Sequence, residues 1–98
     1  MDGNAPLVDA AASERRAAAA ALGRLGTKEA LKGLVDALGD GTLSVAAAAL
    51  APLMVRAKEK DADHLASGLA IELEFGRRLD GMKLMEAQLA LEKLFDLA

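Results

Sequence analysis

The residues able to do chemistry are few, and their spacing decides most of what they could do. Asp61, Asp63 and His64 offer three oxygen or nitrogen ligands within four positions. On a helix Asp61 and Asp63 point about 200° apart, so they converge on one ion only if this segment is a turn. Their ordinary role is an acidic first turn that complements the helix dipole. Asp36-x-x-x-Asp40-Gly41 opens like a calcium loop, but Leu38 stands at the third ligand place and Ala47 where the bidentate Glu belongs. Gly23-Arg24-Leu25-Gly26-Thr27-Lys28 holds the letters of a phosphate loop in the wrong order, with no strand before it.

Nucleophilic catalysis has little more to work with. Ser13, Ser44 and Ser67 carry hydroxyls, His64 is the one imidazole, and no nucleophile elbow surrounds any of them. Glu72 and Glu74 fall on different sides of a helix, so they form no carboxylate dyad. The chain has no Cys, hence no disulfide, thiolate ligand or thiol nucleophile. We therefore expect no enzyme, with no catalytic, cofactor-binding or metal-ligating residue. Nucleic acid is also a poor match. Arg15, Arg16, Arg24, Arg77 and Arg78 are present, but the net charge is −3 and Phe75 and Phe95 are the only aromatics on which a base could stack.

The elements that carry these residues are helical. Ala supplies 23 residues and Leu 18, whereas Val, Ile and Thr together supply seven. That balance favours helix and argues against sheet. Turn signals at Gly26-Thr27, Gly39-Asp40-Gly41-Thr42, Lys58-Glu59-Lys60-Asp61 and Asp80-Gly81 cut the chain. The spacing predicts helices over Pro6–Ala12, Glu14–Leu25, Lys28–Leu38, Leu43–Ala57, Asp61–Arg78 and Met82–Leu97. Pro6 suits a first helical turn with Asn4 as its cap, whereas Pro52 removes a donor inside the fourth helix and predicts a kink or an early end. The N-terminus Met-Asp-Gly-Asn is acidic and opens no signal peptide, and no apolar run reaches the roughly 18 residues of a membrane span. The expectation is a soluble, cytoplasmic protein without a membrane partner.

Repetition is the strongest pattern. Leu7-Val8-Asp9-Ala10 recurs as Leu34-Val35-Asp36-Ala37, 27 residues later, and Arg16–Leu25 aligns with Ser44–Leu53, 28 residues later. A weaker third copy aligns Gly33-Leu34-x-x-x-Leu38 with Gly68-Leu69-x-x-x-Leu73, and Ala49-Leu50-x-x-Leu53 with Ala90-Leu91-x-x-Leu94. Helix pairs at such a period are the mark of an α-solenoid. With Arg15-Arg16-Ala17-Ala18-Ala19-Ala20-Ala21-Leu22 on the family's Arg-x-x-Ala-x-x-Ala-Leu helix, the chain resembles the short HEAT-like repeats of phycobilin-lyase-type proteins. The resemblance places Arg15 on the family Arg, with Leu43 and Leu84 at the equivalent positions of the later copies. It implies an all-α, short solenoid of about two and a half antiparallel helix pairs, one domain over 1–98 with units 5–25, 28–57 and 61–98. A compact four- or five-helix bundle satisfies the same periodicities. It further implies a binding scaffold, with two alternatives: an accessory subunit of a lyase-type enzyme that handles bilins, or a piece of a longer solenoid.

Helical phase, at about 100° per residue, then separates core from surface. Ala18, Ala21, Leu22 and Leu25 make one stripe, Ala62, Leu65, Ala66, Leu69 and Leu73 a second, and Leu84, Ala87, Leu91, Leu94 and Phe95 a third. The last two helices carry a surplus. Ile71, Phe75 and Leu79, close to the phase of His64, lie opposite the second stripe, and Met82, Met85 and Leu89 lie away from the third. Burial between repeats would explain them. Docking of a protein partner or of a second copy as a homodimer would explain them equally, because exposed Met adapts to many surfaces. These six residues are the candidate partner-binding set.

Overall fold

Ala-rich sequence has little reason to leave the helix once nucleated, and the first element shows it, with its Pro in the first turn and its Gly in the last. The computed structural model describes the backbone of residues 4–77 and 81–97 and the side chains of residues 12–77 and 81–97. Among the described residues there are five helices and no strand: α1 (Asn4–Leu25), α2 (Lys28–Ala37), α3 (Leu43–Glu59), α4 (His64–Glu74) and α5 (Gly81–Leu94). The fold is all-α. The two first helices expected on either side of Ser13 are one helix of 22 residues. Ser13 ends nothing there, and its hydroxyl accepts a hydrogen bond from Arg16 Nη2 at 3.2 Å, one turn along.

Four of the five helices, all but α2, stop where one residue turns left-handed. Gly26, at φ 66°, closes α1 by donating its N–H to Leu22 O at 3.1 Å. Two other helices end on Asp. Asp61 has φ 55°, with Ala62 N–H bonded to Ala57 O (2.8 Å) and Asp61 N–H to Lys58 O (2.9 Å). Asp96 repeats the motif at the end of α5. Gly76, at φ 68°, ends α4 with Arg77 N–H on Glu72 O at 2.9 Å, short of the expected end at Arg78. The fourth helix likewise starts later than expected, at His64, because Asp61 belongs to the stop of α3. Pro52 does not end α3, which runs on to Glu59.

Packing begins from the repeated Ala runs. Arg16 Nη1 donates to Ser44 Oγ at 3.0 Å, and Gly23 faces Pro52 so closely that a Cβ on Gly23 would stand 2.7 Å from Pro52 Cβ. Further on, Arg56 lies against Gly26 and donates from Nη2 to Gly23 O at 3.2 Å. The partners advance together, so α1 and α3 lie parallel with the 28-residue offset of the sequence repeat. Small side chains permit this approach. The Arg56 guanidinium also meets the negative end of the α1 dipole.

The second half closes the structure. α2 packs on α3, α3 on α4, α4 on α5, and α5 returns to α2. Gln88 Nε2 donates to Val35 O at 3.0 Å and Lys28 Nζ pairs with Asp96 at 3.1 Å, so α5 runs antiparallel to α2. Helix-pair stacking thus describes α1–α3, and a four-helix ring describes α2–α5. Both architectures allowed by the periodicities are present in one chain. Inside the ring, Leu34, Leu38, Leu53 and Leu91 are wholly buried, joined by Ala66, Leu69, Ala87 and Phe95. The expected stripes on the two last helices form this core. The stripe on α1 is turned instead: Ala19 is buried, Ala18 is exposed and Leu25 is 66% exposed. A run of identical Ala residues carries no phase of its own, so Arg15, Gly23 and Gly26 set the rotation of α1.

Candidate partner-binding surface

Each of the two last helices buries one side in the ring and turns its opposite side to solvent. On α4, Ala66 and Leu69 are inside, and on α5, Ala87 and Leu91. Ile71 and Phe75, one turn apart, lie roughly 140–180° round α4 from Ala66, and Met82, Met85 and Leu89 lie a comparable angle round α5 from Leu91. Ile71 is 52% exposed, Phe75 67%, Met82 68%, Met85 57% and Leu89 58%. Burial between repeats does not reach these five within the chain. Leu79 lies outside the described residues. Leu25 and Val55 are exposed to a similar degree on α1 and α3, which the stripe reading missed.

α4 and α5 are antiparallel neighbours, with Glu72 Oε1 3.6 Å from both Lys83 Nζ and Arg77 Nη1. Arg77 also sits over the Phe75 ring, 5.1 Å from its centroid, so the phenyl face is held by a cation. Between the helices runs an open groove of about 360 Å³. Leu65, Leu69, Ala87 and Ala90 form its apolar wall, His64, Lys83 and Glu86 its polar rim, and Gly68 contributes no side chain at all.

The residues weighed for catalysis are not gathered. Ser67 Oγ donates to His64 O at 2.9 Å, while the Ser13 and Ser44 hydroxyls both accept from Arg16, far from His64 in the fold. Asp61 and Asp63 flank the turn into α4, and no group of three His, Cys, Asp or Glu side chains converges on a metal position among the described residues. Glu72 is engaged by Arg77 and Lys83, and Glu74 is exposed. Nor do the arginines make one patch. Arg16 holds Ser13 and Ser44, Arg77 is on Glu72 and Phe75, and Arg15 turns inward to Asp40; Arg78 is outside the described residues.

Arg15 explains the first repeat. Its Nε donates to Asp40 Oδ2 at 2.7 Å, its Nη2 to Asp40 Oδ1 at 3.2 Å and to Thr42 Oγ1 at 3.2 Å, while Asp40 Oδ1 accepts Thr42 N–H at 2.9 Å. Burial would push the Asp40 carboxyl up, but the Arg15 hydrogen bonds and charge, with the Thr42 amide, outweigh it and hold it below the ordinary carboxylate value. One side chain on α1 thereby fixes the turn between α2 and α3. Residues 14–40 match the family model of the PBS lyase HEAT-like repeat. This segment is a HEAT-like repeat. It runs from the second half of α1 to the α2–α3 turn, with Arg15 near one end and Asp40 at the other. No curated protein and no solved structure matches the chain. No helix among the described residues is long and apolar enough to cross a membrane.

Proposed function

We propose that this chain is a non-catalytic protein-interaction module that docks through the outer face of α4 and α5. The carrying observation is the set Ile71, Phe75, Met82, Met85 and Leu89, each more than half exposed on helices whose other sides complete the core. Leaving five large apolar side chains more than half exposed forgoes part of the roughly 1.5–3 kcal/mol that full burial of each would contribute, a share that a partner would recover. HEAT-like repeats suit the role, since a stack of helix pairs presents rigid surfaces and needs no chemistry of its own.

The test is the double substitution F75S/M85S. Both side chains stand outside the core, so the variant keeps the helical circular dichroism and melting temperature of the parent while losing association. Loss of folding would show that the two residues belong to the core, and the docking reading would fall.

A further inference from the structure

The 28-residue repeat places four residues of α1 in register with four of α3: Ala18 with Ala46, Ala21 with Ala49, Leu22 with Leu50 and Leu25 with Leu53. On α3 all four are buried, none more than 4% exposed. On α1 the same row is open: Ala18 is exposed, Ala21 and Leu22 are half-buried, and Leu25 is 66% exposed. The difference lies in what covers each helix. α2 packs on α3 and brings Leu34 and Val35 into the core with Leu50 and Leu53. The counterpart of that segment in the first unit is Leu7-Val8-Asp9-Ala10, letter for letter Leu34-Val35-Asp36-Ala37. It does not turn back onto α1, because it is the N-terminal part of α1 itself. Arg15 is level with the Asp40–Thr42 turn, where α2 ends and α3 begins, and Asn4 precedes it by 11 residues, about 16 Å of helix.

We infer that a second copy supplies the missing cover. Two copies of α1 cross antiparallel about a two-fold axis beside Glu14, and Leu7-Val8 of each lies on the Ala18–Leu25 row of the other. No bend in α1 is needed. The copies exchange the contact that α2 makes with α3 inside one chain, as in domain swapping. This surface is separate from the outer face of α4 and α5.

Register follows from the second unit. Leu22 lies against Gly33 and Gly23 against Pro52, so Leu34 on α2 is level with Ala49 and Leu50 on α3. At the same height in the first unit Leu7 is level with Ala21 and Leu22, which sets the axis beside Glu14. Helical phase agrees. Positions 7 and 25 are about five whole turns apart, and position 7 lies within about 60° of positions 18, 21 and 22. One side of a straight α1 therefore holds both the cover and the row to be covered, and a two-fold operation makes that side meet itself. Beside the row a hollow of about 140 Å³, lined by Ala18, Leu22, Ala37 and Val45, leaves room for an aliphatic side chain. Residues 10–12 and 17–21 are all Ala, so two α1 backbones can approach as closely as small side chains allow. Glu14 is the one charged residue in phase with the row, and the axis sets its two copies near each other.

Light scattering with refractive-index detection, over a hundredfold concentration range, suits a chain without Trp or Tyr. The mass is expected to rise toward twice that of the monomer. Asp suits the first turns of a helix, so L7D/V8D is expected to stay helical while the dimer weakens by about tenfold or more. E14Q removes the like charges at the axis and is expected to tighten the dimer severalfold. F75S/M85S, aimed at the other face, is expected to leave it unchanged. The chain has no Cys, so introduced cysteines report proximity under mild oxidation. L7C and A21C are expected to link when mixed and not singly, whereas E14C links to itself. A monomer throughout the range would overturn the inference, as would a dimer that L7D/V8D leaves intact or that F75S/M85S breaks. Unfolding of L7D/V8D, or a monomeric L7C/A21C chain that links within itself, would place the segment on its own copy and overturn it too. The docking reading of α4 and α5 fails separately, if F75S/M85S unfolds.

Discussion

Arg15 on α1 and Asp40 in the turn after α2 are joined by two parallel hydrogen bonds, of 2.7 and 3.2 Å, across 25 residues of chain. The pair holds the two ends of the HEAT-like repeat at one height and fixes where α3 starts, through the Asp40–Thr42 turn. Asp40 is the more enclosed partner, its side chain 15% exposed against 38% for Arg15.

A pH dependence follows from the lowered Asp40 carboxyl. A folded-state pKa below the unfolded one contributes stability that is full above the ordinary value of 3.8 and is lost as pH falls through the lowered folded value. The partly exposed guanidinium keeps the gain near that of a surface pair, about 1 kcal/mol at neutral pH. R15Q is therefore expected to be less stable than the parent by roughly that amount at pH 7, with the difference shrinking below about pH 3.8. Urea midpoints at pH 7 and pH 3 check it; an equal gap at both would remove the electrostatic account.

Gly23 and Pro52 set the approach of α1 to α3. Elsewhere in a helix, replacing Gly by Ala gains about 0.5–1 kcal/mol. Here the new methyl would stand 2.7 Å from Pro52 Cβ, and neither a proline ring nor a helix backbone yields cheaply. G23A is expected to destabilise by about 1–3 kcal/mol, the usual cost of overpacking, and to lower the melting temperature by several degrees. An unchanged or raised melting point would show that the two helices can slide apart.

Which features were legible in the sequence follows from what each residue type can signal. Thr27 and Thr42 ahead of helical periodicity mark the starts of α2 and α3, and Thr27 Oγ1 does accept Ala30 N–H at 3.1 Å. The stripes on α4 and α5 mix large apolar residues with polar ones, so phase alone separates Leu69 and Leu91, which are buried, from Phe75 and Met85, which are not. Phase fails on α1, where Ala17 to Ala21 look alike on every side. Asp61 was illegible for a different reason: an acidic residue near a helix start reads as a first-turn charge, yet here it takes the left-handed stop of the preceding helix. The groove at Gly68 depends on how α4 and α5 pack side by side, which no pattern within either helix encodes.

Asp61 offers a stabilising substitution. It holds φ 55° without the freedom of Gly, though Asp tolerates that region better than most residues. D61G relieves the strain while keeping both backbone bonds of the motif, and a gain of about 0.5–1 kcal/mol is expected. D61V, branched at Cβ, should instead lose more than 1 kcal/mol in the same position. Denaturant midpoints of the two variants check the order, and a stable D61V would mean that the turn can adopt another conformation.

Gln88 is the polar link that draws α5 onto α2. Its amide donates to Val35 O near the C-terminal end of α2, a carbonyl that also accepts Leu38 N–H at 3.2 Å. Q88L keeps the length and removes the donor, leaving that link to Lys28–Asp96, an exposed pair of little strength, and to apolar burial around Leu91 and Phe95. The loss is expected to be about 1 kcal/mol, the usual net value of one hydrogen bond. Its location is more telling than its size. Hydrogen exchange should quicken in α4 and α5 while α1 and α3, tied through Gly23, Pro52 and Arg56, keep their protection. Uniform acceleration through all five helices would show instead that the stack and the ring unfold as one unit.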